Sequence, residues 1–187
     1  MTFEQYKNHW NYFLTLEQDM SDTSKFVEHC EANYNTFSFE FFKIIQLSCA
    51  EIDSLLKELC KLWEPNSKAK CIKNYAKIII PKYTKLNEFS TMMNYSGLPL
   101  LFCPWQHWTC EASPNWWRDY QHLKHNHTKN FDLATMKNAY YCLSALLIVL
   151  NMIRWTFPIN EIDFFPNITQ RLSINYVCQV APPKEPK

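Results

Sequence analysis

Arg118, His122, Lys124, His125, Asn126 and His127 crowd into one short stretch of the chain, preceded by Trp116, Trp117 and Tyr120. A histidine titrates near neutral pH, so it can take the proton from a ribose 2′-hydroxyl and return one to a leaving oxygen. A guanidinium offers bidentate donors to the negative charge that builds on a phosphorane. Together these residue types suit RNA cleavage without a metal. Lys124 and Asn126 add phosphate contacts, and His122 and His127 add further polar groups. The aromatic residues either stack a splayed base, Tyr120 among them, or pack as core.

Those side chains need a helix to line them up. Ser113 suits an N-cap and Pro114 a first helical position, so a helix is expected from here to about His127. Arg118 and His125 are seven apart, which puts them on one face, roughly 10 Å apart along the axis. His122 lies between them. Trp116, Trp117, Tyr120 and Leu123 form the apolar body that holds the polar stripe still.

Further helices are legible from apolar spacing. Residues 2–20 place Phe3, Tyr6, Trp10, Phe13, Leu14 and Leu16 at near-helical spacing, an amphipathic first helix. Residues 38–63 have a Ser38 cap and an apolar series from Phe41 to Trp63, closed by Pro65. Glu51 falls close to the packed face of this helix, where it can pair with a cation of the 118–127 stretch and orient the Arg or His. Asp53 has Lys57 as an i,i+4 partner. Another helix is expected over 67–79, and a long one over 131–156. Residues 21–36 read as a loop or short helix. Residues 82–112 read as a long loop, ordered by Phe102, Trp105 and Trp108, with a short strand near Leu98–Phe102. Leu172, Ile174, Tyr176, Cys178 and Val180 alternate as an edge strand does. The tail at 181–187 is expected to fray.

Composition narrows the function classes. The 187 residues suffice for one domain over 1–180, and 47% are hydrophobic, enough for a real core. Gly97 is the single glycine, which excludes Gly-rich phosphate loops. A net charge of +1 gives no global field, so any RNA binding must come from a local patch. The apolar part of the last helix, Ala139–Leu150, is short of the twenty or so residues of a membrane span, so no membrane is expected. The eight cysteines include no Cys-x-x-Cys pair. With a polar N-terminus lacking a signal-peptide pattern, they are expected to be reduced in a cytoplasmic protein. Cys103, His107 and Cys110 are an alternative set of zinc ligands, in spacing that matches no common zinc pattern.

From Pro114 to Phe131 the sequence resembles a bacterial branch of the HEPN superfamily, which carries a Trp-Trp-x-x-Tyr-Asn-x-x-Lys-His-like run before a long apolar helix. Trp116, Trp117, Tyr120, Lys124 and His125 match that run; Gln121 stands where Asn is usual. Arg118-Asp119 followed by His125 fits the broader pattern of Arg, a polar residue and a distant His. The Ser48–Asp53 segment is similar to the family's earlier core helix. The resemblance implies an all-α, up-and-down helical bundle, often a homodimer with its Arg-His helices facing each other. It implies a metal-independent endoribonuclease of a toxin or antiphage defence system, with Arg118 and His125 catalytic, no cofactor, RNA as substrate, and an antitoxin or defence-system protein as a further partner. Two rivals remain: a catalytically silent HEPN-like module that binds a protein or nucleotide, and a zinc-stabilised helical protein.

Overall fold

A computed structural model describes residues 1–94, 100–158, 169 and 172–175, and among these residues there are five α-helices and a small sheet. Helix α1 spans Phe3–Asp22, α2 Phe39–Trp63, α3 Ile72–Ile79, α4 Asn115–Asn126 and α5 Met136–Arg154. Three strands, β1 at Ser90–Met93, β2 at Leu100–Phe102 and β3 at Leu172–Asn175, form an antiparallel sheet in the order β2-β1-β3. The architecture is therefore mainly α, in keeping with the expected helical character, with a small sheet beside the helices.

The helix starts follow local chemistry. Thr2 and Gln5 form a reciprocal capping box at α1, with Gln5 N donating to Thr2 Oγ1 at 3.2 Å and Thr2 N to Gln5 Oε1 at 2.8 Å. Ser38 Oγ accepts from Phe41 N at 3.1 Å, as its position before the apolar series suggests. Thr135 Oγ1 accepts from Asn138 N at 3.1 Å, so α5 begins five residues later than the periodicity implied. The residues before it, Phe131–Leu133, form a separate 3-10 turn. Chain pairing explains this: Met136 N donates to Thr36 O and Lys137 N to Tyr34 O, which ties the start of α5 to the 34–38 segment. Helix α3 also starts late, at Ile72, because Ser67 is used in a turn, accepting from Ala69 N at 3.2 Å.

Helices α2 and α5 form the main interface of the core, and α1 packs against both. Ile44, Ile52, Leu55, Leu56, Leu143, Leu146 and Leu150 are all fully buried. Every residue of α5 from Cys142 to Arg154 is buried, so this helix has no solvent face over that length. By length and composition alone α5 could cross a membrane, a longer apolar stretch than Ala139–Leu150 suggested; 83% of its apolar window is covered by the rest of the chain. That coverage marks it as a core helix.

Residues 82–112 are more structured than a loop. Strand β1 is the central strand: Thr91 pairs with Phe102 on one side and Ile174 on the other. Thr91 Oγ1 donates to Ser144 Oγ at 2.7 Å, anchoring the sheet on α5. The expected C-terminal strand is present over 172–175; its extension to residue 180 and the 181–187 tail lie outside the described residues, as do Gly97 and Leu98. The seven described cysteines are free thiols.

Candidate nucleic-acid surface on helix α4

Helix α4 has two chemically different faces. Trp116, Trp117, Tyr120 and Leu123 are at most 5% exposed. Their rings form a continuous ladder with the preceding segment: Trp108 meets Trp105 at 4.7 Å, Trp105 meets Trp116 at 5.3 Å, Trp116 meets Trp117 at 5.6 Å, and Trp117 meets Tyr120 at 5.3 Å. Indole N–H groups fix the ladder to backbone: Trp116 Nε1 donates to Pro104 O at 2.7 Å, and Trp108 Nε1 to Ile72 O at 3.1 Å. Tyr120 thus packs as core, one of the two roles the sequence left open, with an edge toward the groove described below. Burial pushes its hydroxyl up to about 12, with smaller contributions from Cys49, Asp53 and Cys142.

The start of α4 differs by one residue from the expectation. Pro114 is the N-cap residue, with φ −56° and ψ 151°, and Ser113 does not cap. The residue before a proline is steered away from helical backbone, which keeps Ser113 outside. At the far end Asn130 Nδ2 donates to Asn126 O at 2.8 Å and His122 O at 3.3 Å, holding the last carbonyls.

The opposite face is exposed: Arg118, His122, Lys124, His125, Asn126 and His127 all reach solvent. Arg118 is held by Asn115, with Nη2 donating to Oδ1 at 2.6 Å. Beside it lies a groove of about 450 Å³ between α4 and the N-terminal end of α3. Lys70, Lys73, Arg118, His122 and Lys124 line it, with one carboxylate, Asp53. Asp53 is already engaged, by Lys57 as the sequence indicated and by the Tyr75 hydroxyl at 2.9 Å. Lys124 Nζ also sits over the Tyr120 ring, 5.6 Å from its centre. A concentration of cations around one neutralised carboxylate makes a local positive patch on a nearly neutral chain.

The fold brings Arg118, His122 and Lys124 into this groove, but not His125, Asn126 or His127. His125 lies on the same stripe, one turn beyond. His127 packs its ring near Phe42, 5.7 Å between centroids. Glu51 is the clearest correction. Its Oε1 meets His9 Nδ1 of α1, so the carboxylate orients no side chain of α4 within the chain. Glu51 and Asp53 are two positions apart on α2 and therefore face different neighbours. The groove-lining role falls to Asp53. Lys70 and Lys73 did not stand out in the sequence; the run of Lys68, Lys70, Lys73 and Lys77 was the available signal.

Among the described residues no group of three or more His, Cys, Asp or Glu side chains gathers to hold a metal. Cys103 is half-buried and Cys110 exposed. Cys103, His107 and Cys110 therefore do not form the alternative zinc set. Compared with protein-family models, curated proteins and solved structures, the chain matches none.

Proposed function

We propose that the exposed face of α4, with the groove beside it, binds RNA and cleaves it without a metal ion, in the manner of HEPN-like ribonucleases of toxin and antiphage systems. The observation that carries this reading is the cationic groove: Lys70, Lys73, Arg118, His122 and Lys124 surround one carboxylate that other residues already occupy. A backbone phosphate is the polyanion such a patch fits. In the reaction, a histidine takes the 2′-hydroxyl proton as the 2′-oxygen bonds to phosphorus. Arg118 holds the non-bridging oxygens, the bond to the 5′-oxygen breaks, and a second imidazolium gives that oxygen its proton. The products are a 2′,3′-cyclic phosphate and a 5′-hydroxyl.

His125 is the proposed base, acting in a site shared by two copies of the chain, because seven residues of helix separate it from Arg118 by roughly 10 Å. That same separation favours the second reading, a silent HEPN-like module whose groove binds a polyanion and leaves it intact. Incubating RNA with the protein in EDTA, then assaying for 2′,3′-cyclic phosphate ends, distinguishes the two. Ends formed by wild type and lost in His125→Ala support the ribonuclease. Tight RNA binding with no new ends supports the silent module.

A further inference from the structure

On the other flank of α4 lies a second cavity, of about 620 Å³, within the range of small-ligand sites. It is formed where the N-terminal half of α4 faces α5 and the 103–107 segment. Asp119, Asn138, Tyr141, Gln106 and Phe37 line it. Neighbouring residues of α4 divide between it and the groove: Asn115 lines the cavity, Arg118 lines the groove, and the two are hydrogen-bonded at 2.6 Å.

The polar groups of the cavity have a directional pattern. Asn138 Nδ2 donates to Asp119 Oδ2 and to Leu133 O, both at 2.9 Å. Two acceptors fix the orientation of this amide and use both of its hydrogens. Asn138 Oδ1 and Asp119 Oδ1 accept no hydrogen bond among the described residues, so the Asp119–Asn138 pair presents acceptors. Tyr141 adds a donor. Burial raises its hydroxyl, with a smaller contribution from Cys103, so it keeps its proton at neutral pH.

We infer that this cavity is a guanine-recognition subsite, with Asp119 as the residue that selects the base. Among the RNA bases only guanine presents two adjacent N–H donors on its Watson–Crick edge, the pair a carboxylate accepts side by side. Its O6 then faces a donor such as the Tyr141 hydroxyl or the Gln106 amide. Adenine and cytosine each place a ring acceptor next to their amino group and set it against the carboxylate. Uracil has one N–H between two carbonyls. Phe37, half-exposed at the rim, offers a flat apolar surface to the base. The cavity holds the carboxylates Asp119 and Asp132 and one lysine, Lys137. The inference rests on the RNA reading above for its place in cleavage: a guanine seated here puts its adjoining phosphate at Arg118, across the Asn115 ridge.

Calorimetric titration of the full chain with GMP, AMP, CMP and UMP tests it. GMP is expected to bind about tenfold or more tightly than the others, the scale of a bidentate base contact. Asp119→Asn keeps an oxygen for Asn138 and should bring GMP level with AMP. Tyr141→Phe, which keeps the ring against Phe102, should weaken GMP several-fold. Arg118→Ala should weaken all four nucleotides and leave the guanine preference intact. Equal affinities in wild type, or a preference that survives Asp119→Asn in a folded protein, would overturn the inference. Tighter binding of L-argininamide than of GMP, lost in Asp119→Asn, would assign the cavity to a guanidinium group instead. GMP selectivity in a protein that cleaves no RNA would leave the subsite standing and remove the ribonuclease reading alone.

Discussion

At the scale of single residues, α4 sets Arg118, His122 and His125 on a stripe opposite its buried aromatic face, and their roles separate by substitution. His125→Ala is expected to slow cleavage by about 100-fold or more, the range of acid–base catalysis. Arg118→Lys should also be damaging, because an ammonium cannot reproduce the bidentate contact that Asn115 prepares the guanidinium to make. His122 sits in the groove with Arg118, whereas His125 does not. If His122→Ala abolishes cleavage and His125→Ala leaves it unharmed, the base is His122 and one chain suffices. Initial rates on a defined single-stranded RNA, with and without EDTA, measure all three. The polar and apolar faces of α4 were legible from spacing alone. The partner of Glu51 was not: helical periodicity tells which way a side chain points from its own axis. Whether α1 or α4 stands on that side depends on packing, and α2 has neighbours on several sides.

At the scale of elements, burial separates the helices more sharply than their sequences do. Leu55 of α2 and Leu146 of α5 are both fully buried, so Leu→Ala at either should cost about 2–5 kcal/mol in urea melts. Ser38→Ala should cost about 1 kcal/mol, since it removes one cap of one helix. A loss below about 1 kcal/mol at Leu55 or Leu146 would mean the inward faces are assigned wrongly. The helices were predictable because their apolar residues recur at three and four. Strand β1 was not, because Ser90, Thr91 and Met93 are all buried, which leaves no alternation along Ser-Thr-Met-Met. Its identity comes from strands on both sides, one of them far along the chain. The late starts of α3 and α5 have a related cause. Periodic residues continue past the point where a turn, a cap or pairing with the 34–38 segment takes over the backbone.

At the scale of the whole molecule, a shared site requires two copies, and such assemblies are usually two-fold symmetric. Sedimentation at micromolar concentration should give a species near twice the 22.4 kDa chain mass; a clean monomer would confine any chemistry to the single-chain groove. Thiol chemistry gives an independent check of the packing. Cys71 and Cys110 are exposed and should react rapidly with a disulfide reagent. Burial pushes the Cys60 thiol up to about 12 and raises that of Cys49 well above its ordinary value, so these should stay silent until the protein unfolds. Cys49 and Cys142 touch across the α2–α5 interface, with sulfurs 3.5 Å apart and 93 positions between them in sequence. That separation sets a delay during synthesis. A ribosome adding roughly 5–20 residues per second needs on the order of 5–20 s to travel from the end of α2 to the end of α5. Throughout that interval the apolar face of α2 lacks its main partner, and α1, joined in turn by α3 and α4, shields only part of it. The nascent chain is therefore at its most aggregation-prone midway through translation, and the arrival of α5 ends that exposure.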